Sequence, residues 1–197
     1  MEAASVDQLA RALDDTALLV AGVGEHQWDR PTPCAQWDVR HLVEHMVVGH
    51  QVFARALSGQ AVSAVPTPTP SEPSALPAAF AASAAAMLEA FRAPGALEGA
   101  VRIPVGTVPA MVALHLRIVE ALVQGWDVAR ATGQAFRHDD GLARQELGFS
   151  RAFLSQVPAG RTPFAPSLSA ADDAPPLDRL AALLGRDLAW TAGSPGR

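Results

Sequence analysis

Two stretches decide how this chain folds: TPCAQWDVRHLVEHMV, from Thr32 to Val47, and EALVQGWDVARATGQ, from Glu120 to Gln134. In the first, Asp38 stands where an N-cap belongs, with a carboxylate able to accept the orphan amides of a helix that the periodicity carries to about Leu57. In the second, Glu120 and Gln124 lie one turn apart on a helix expected over about Val108 to Ala131, closed by Gly133 as its C′ residue. A bundle of such helices brings His45 of the first toward Glu120 and Gln124 of the second.

The same reading extends outward from these two helices. Leu9, Leu13, Leu19, Val20 and Val23 recur with helical spacing, so a first amphipathic helix is expected between about Ser5 and His26, loosened at its end by Gly22 and Gly24. Trp28 to Trp37, with Pro31 and Pro33, reads as an ordered turn that stops this helix and launches the next. Ser63 to Pro77 contains five prolines and is expected to be an extended connection, a plain connector or a partner-facing loop.

A third helix is expected over Ala78 to Phe91. Val101 to Val105 has β character limited by Pro104, so one short hairpin is the most β structure expected. A fifth helix is expected from about Gly141 to Gln156, and a short one through Leu177 to Leu184. Five helices with little β structure make an all-α helical bundle, and a length of 197 residues suits one domain over residues 1–197.

Composition narrows the function. Hydrophobic residues make up 49% and charged residues 18% of the chain, and the net charge is -5. No basic stretch is available for counterion release, so neither nucleic acid nor an anionic membrane is an expected partner, whereas a small molecule is. The apolar run from Val108 to Val123 is broken by His115, Arg117 and Glu120 and does not read as a membrane span. Cys34 is the single cysteine, which excludes an internal disulfide and fits a cytoplasmic protein. The absence of lysine excludes Schiff-base chemistry on a lysine.

Several side chains are candidates for chemistry. On the second helix, Val39, Leu42, Met46, His50, Phe53 and Leu57 form the apolar face. His50 is then a core or pocket-lining histidine, and His45 lies at the edge of the face. On the long helix, Leu116, Glu120, Gln124 and Asp127 share one face, and His115 points nearly the opposite way. Such a polar row is either solvated or gathered around something. His41 to His45 matches the H-x-x-E-H pattern of inverted zinc peptidases, although a small helical chain lacks their α/β scaffold; what the match retains is that His41 and His45, at i and i+4, can reach one ion together. Cys34 precedes a helix N-terminus, where the dipole lowers a thiol pKa, but beside Pro33 and Trp37 a buried, inert thiol is the expected state.

These residues carry a resemblance. Trp28, Thr32-Pro33-Cys34, Trp37-Asp38-Val39, His45, Glu120, Gly125-Trp126-Asp127, Ala131-Thr132-Gly133, Phe164, Leu177-Asp178-Arg179-Leu180 and Leu184-Gly185-Arg186-Asp187 together resemble the DinB-like metal-binding proteins of actinobacteria. Those are related to the N-terminal domain of mycothiol-dependent maleylpyruvate isomerase. The resemblance implies an antiparallel four-helix bundle holding a divalent metal, zinc or nickel, through a histidine of the second helix and a Glu-x-x-x-His pair of a later one.

On this chain those positions are His45, Glu120 and Gln124, the last a glutamine in place of histidine. Amide oxygen is a poor donor to zinc or nickel. Three outcomes stay open: His41 enters as a third ligand, Gln124 binds weakly through its oxygen, or the site is a metal-free polar pocket opening among Trp37, His45, Glu120 and Trp126. On the first two, Gln124→His is expected to raise metal affinity by orders of magnitude. The resemblance further implies a thiol cofactor such as mycothiol, thiol-dependent isomerase or S-transferase activity, and a homodimer through helix faces. The alternative is a non-catalytic member that binds a small ligand or a protein.

Overall fold

A computed structural model describes residues 4–60, 71–103, 106–157 and 164–192. The first helix, α1 (Val6–Ala21), begins with a capping box: the Gln8 amide donates to Ser5 Oγ and the Ser5 amide donates to Gln8 Oε1. It is shorter than the expected run to His26. The Gly22 amide donates to the Leu18 and Leu19 carbonyls, and the chain then leaves the helix into a 3-10 turn, Glu25–Gln27. Gly22 lets the Gln134 side chain pack close, since a Cβ there would fall 2.3 Å from Gln134 Oε1 and displace it.

The turn from Trp28 to Trp37 is ordered as expected. Thr32 Oγ1 donates to the Trp37 and Cys34 carbonyls and accepts from the Cys34 amide, while Pro31 bridges to Asp38. Asp38 then caps α2 (Val39–Leu57), accepting from the His41 amide at 2.8 Å. Helix α3 (Leu76–Arg92) starts earlier than Ala78 and takes Pro77 into its first turn, where a missing N–H costs nothing. The expected connection therefore ends in a 3-10 turn, Pro73–Ala75, ahead of Pro77; residues 61–70 of it lie outside the described residues. By length and composition Pro73–Arg92 would cross a membrane. Leu76, Phe80, Met87 and Phe91 are instead spent on the bundle core, where all four are buried.

Strands β1 (Ala100–Ile103) and β2 (Gly106–Pro109) form the one hairpin among the described residues, antiparallel with Val101 opposite Val108 and Ile103 opposite Gly106. Pro104 and Val105, the expected end of the first strand, lie outside the described residues. The hairpin leads into α4 (Ala110–Thr132), closed by Gly133 at φ 74°, the left-handed C′ residue that the sequence predicts. Asp139 caps α5 (Asp140–Leu154), and α6 (Pro176–Leu183) follows.

The fold is the expected all-α bundle with a small hairpin. Helices α1 and α2 each pack against α3 and α4, and α5 and α6 pack on each other and on α4. Helix α4 is thus covered by α1 and α2 on one side and by α5 and α6 on the other. Its polar residues are buried almost all round, including His115, Arg117, Gln124 and Asp127. The polar row is therefore not a solvated face: Gln124 and Asp127 are buried, and Glu120 is 21% exposed.

Each buried polar group then needs a partner. His115 does point away from the Glu120 row and reaches α5, with Nδ1 2.9 Å from Glu146 Oε1 and its ring stacked on Phe149. His50 is the expected core histidine, with Nδ1 3.0 Å from Ser83 Oγ on α3 and its ring edge-on to Phe80. Burial, with Arg117 and His45 adding to it, holds its pKa well below the ordinary histidine value.

Candidate functional site

Where α2 and α4 diverge, a cavity of about 540 Å³ opens between them. The turn before α2 supplies Cys34 and Trp37, α2 supplies His45 and Phe53, and α4 supplies Arg117, Glu120 and Gln124. The hairpin contributes Ile103, α5 contributes Phe153, and the tail closes one wall with Phe164 and Arg186. A volume of this size, apolar with a few polar groups converging, suits a small molecule.

His45, Glu120 and Gln124 all line this one cavity. His45 stacks against Trp37 with ring centroids 4.3 Å apart. Burial lowers its pKa, Arg117 and Arg186 add to that, and Glu120 opposes it, so the imidazole is neutral near pH 7. His41 does not join them. Its Nδ1 lies 2.7 Å from Asp38 Oδ1, its side chain is 52% exposed, and it does not line the cavity. Trp126 is absent from the cavity wall too, because its Nε1 donates to Asp178 Oδ1 of α6 at 2.8 Å.

Cys34 is half-buried and unpaired by disulfide. Burial pushes its thiol pKa up, aided by Asp127, while Arg186 and the Gln36 amide pull the other way. The net rise favours the protonated thiol, and Cys34 lines the cavity instead of being buried as the sequence leads one to expect.

Two arginines complete the site. The sequence places Arg117 only among the residues that interrupt an apolar run, and Arg186 only within a matched tail motif. Arg117, three residues before Glu120, donates through Nη1 to Glu120 Oε2. Its side chain is 1% exposed, and Glu120 is 21% exposed. Arg186 grips the fully buried Asp127 with Nε at 3.2 and 3.3 Å and Nη2 at 2.8 Å, and its Nη1 donates to the Leu184 carbonyl. Burial pushes Asp127 upward and the guanidinium pulls it back, leaving a desolvated ion pair. A spacing signal for Arg117 was present, since Arg and Glu at i and i+3 on a helix face each other.

Zinc sites use three or four nitrogen, sulfur or carboxylate donors. The cavity offers one imidazole, the thiol of Cys34, whose pKa burial raises, one carboxylate already hydrogen-bonded to a guanidinium, and the neutral amide oxygen of Gln124, which is buried and has no partner among the described residues. No three His, Cys, Asp or Glu side chains group together among the described residues. A dication added at Glu120 would also face the fixed positive charge of Arg117, a repulsion of several kcal/mol in a partly buried site. The donor set does not fit zinc or nickel.

Comparison with known proteins agrees with the fold. Two proteins described as uncharacterized, from Mycobacterium tuberculosis strains CDC 1551 / Oshkosh and ATCC 25618 / H37Rv, are each 38% identical over 177 residues, 89% of this chain and 94% of theirs. Among solved structures, a mycothiol-dependent maleylpyruvate isomerase superposes with a TM-score of 0.56 at 17% identity, covering 72% of this chain. A histidine-to-alanine mutant of that enzyme gives 0.55 at 16%. This chain spans 65% of the isomerase chain, so the likeness is one of fold. The sequence model described as the mycothiol maleylpyruvate isomerase N-terminal domain matches residues 9–129, most of the chain and all four bundle helices, and the protein belongs to that family.

Proposed function

We propose that the chain is a single-domain, cytoplasmic protein that binds a small thiol-bearing molecule such as mycothiol in the cavity between α2 and α4, and does so without zinc or nickel. The observation that carries this reading is the cavity itself: about 540 Å³, walled by Trp37, Phe53 and Phe153, with His45 and Glu120 on its surface. The family supplies the class of ligand, and the donor set argues against the ion.

A thiol seated beside His45 hydrogen-bonds to the neutral imidazole, and its aliphatic part packs against the aromatic wall. The presence of both His45 and Glu120 on that wall favours a second reading, in which the bound thiol is also turned over. In a thiol-dependent S-transferase of this design, the imidazole accepts the thiol proton as sulfur attacks an electrophilic carbon and passes it to the departing group; in an isomerase, it returns the proton to sulfur as the C–S bond breaks after rotation about the former double bond. No ion takes part.

The test is titration of the protein with mycothiol, followed by intrinsic tryptophan fluorescence and calorimetry, with and without chelator. Saturable binding unaffected by chelator, and weakened at least about tenfold by His45→Ala, supports the reading. Absence of any saturable signal up to about 1 mM, or binding abolished by chelator, overturns it. Product formation from a thiol and an electrophile separates turnover from binding alone.

A further inference from the structure

Arg117 presents a physical problem that the family's architecture does not explain. A guanidinium that is 1% exposed costs many kcal/mol unless its charge is compensated, and α4 places this one at the floor of the cavity. Its anionic partner is Glu120, on the same helix, through Nη1. Nε and Nη2 are buried and have no acceptor among the described residues.

Helix α2 is shaped to receive this group. Gly49 leaves the room: a Cβ there would fall 3.0 Å from Nη1 and 3.5 Å from Nη2. One turn on, Phe53 presents its ring face to the guanidinium, 4.8 Å from Cζ to the centroid, which offsets part of the desolvation. Gln124, one turn beyond Glu120, brings a neutral amide whose Oε1 is itself buried and unpartnered, so it adds no negative charge to hold a cation.

We infer that Arg117 is the resident cation of this cavity: seated on Gly49 and Phe53, it occupies the charge of Glu120 and thereby excludes a divalent ion, with Gln124 as the second, weaker determinant. This deepens the metal-independent part of the function proposed above. The positive charge beside Glu120 is covalently part of the chain. It is fixed in stoichiometry, indifferent to chelators and indifferent to metal supply.

The inference changes what one substitution is expected to do. If only the missing imidazole kept metal out, Gln124→His would restore a site by itself. If Arg117 holds the carboxylate, Gln124→His alone leaves the dication facing a guanidinium.

The decisive experiment is titration with zinc and with nickel, in competition with a chromophoric chelator and with no thiol present, of the wild type, Gln124→His, Arg117→Met and the double variant. Gln124→His alone and Arg117→Met alone are each expected to gain less than about tenfold in affinity, and the double variant more than about a thousandfold over the wild type, beyond the product of the two single gains. Arg117→Gln paired with Gln124→His repeats the measurement with a polar replacement, and circular dichroism establishes that each variant is folded. Gln124→His binding metal as tightly as the double variants overturns the role of Arg117 and leaves thiol binding untouched. Tight zinc binding by the wild type overturns this inference and the metal-independent reading together. Failure to bind a thiol bears on the proposed function alone, because the titration contains none.

Discussion

Two buried arginines meet α4 some ten residues apart, and their surroundings differ in kind. Arg186 has every guanidinium nitrogen engaged, Nε and Nη2 on Asp127 and Nη1 on the Leu184 carbonyl, and so ties the tail to the bundle. Arg117 has one nitrogen engaged and two left over, beside an amide oxygen that is also unpaired. A fully satisfied network rigidifies and specifies structure, whereas buried donors left unpaired call for another explanation. The first pair is a clamp, and the second belongs to the cavity.

The sharpest way to break this comparison is Asp127→Ala. It strands Arg186 without a counter-charge and is expected to cost about 3–5 kcal/mol in urea unfolding, with a fall in Tm of roughly 10 °C. A loss below about 1 kcal/mol would show that the tail is not held by this pair.

A second, smaller effect comes from His50, whose folded-state pKa is depressed first by burial and further by Arg117 and His45. Below the unfolded value of about 6.5 the unfolded chain takes up a proton that the folded chain refuses, so stability falls as pH drops through that value, by at most about 1.4 kcal/mol per pH unit for this group. Above it the contribution is fully present. His50→Gln should flatten the stability profile between about pH 6.5 and 5; an unchanged slope would assign the acid sensitivity elsewhere.

The smallest effect is expected at Arg117. Arg117→Met removes two unpaired donors together with the charge and leaves Glu120 partly solvated, so its cost should stay within about 1 kcal/mol of wild type. A penalty as large as that of Asp127→Ala would make Arg117 a clamp like Arg186 and erase the distinction.

The helices were largely legible in the sequence because local signals agree with packing. Asp38 caps α2, Gly133 closes α4, and the apolar stripe of α2 predicts His50 in the core. The misses have local causes. Two glycines end α1 sooner than its periodicity suggests, and Pro77 enters α3 at the one turn that tolerates proline. Glu120 and Gln124, one turn apart on α4, line the same cavity as His45. Arg117 was harder to recognise, since periodicity assigns a face but does not say whether neighbouring helices cover it. Only the packing of α2 on α4, through Gly49 and Phe53, turns an arginine in an apolar run into a buried charge. His41 illustrates the converse: its position one turn from His45 allows convergence on an ion, but the Asp38 cap takes its ring instead.

The family's shared span ends at residue 129, yet Phe153, Phe164, Ala165, Gly185 and Arg186 all contribute to the cavity. Gly185, at φ 85°, lets the tail pass where a Cβ would fall 2.5 Å from that of Ala165. The cavity is therefore built from two parts of the chain: a frame within the family match, which carries His45, Arg117 and Glu120, and a cover beyond it, which shapes the space over them. A graft of residues 140–192 from a relative that keeps the Asp127–Arg186 pair is expected to change ligand preference while His45, Arg117 and Glu120 stay in place.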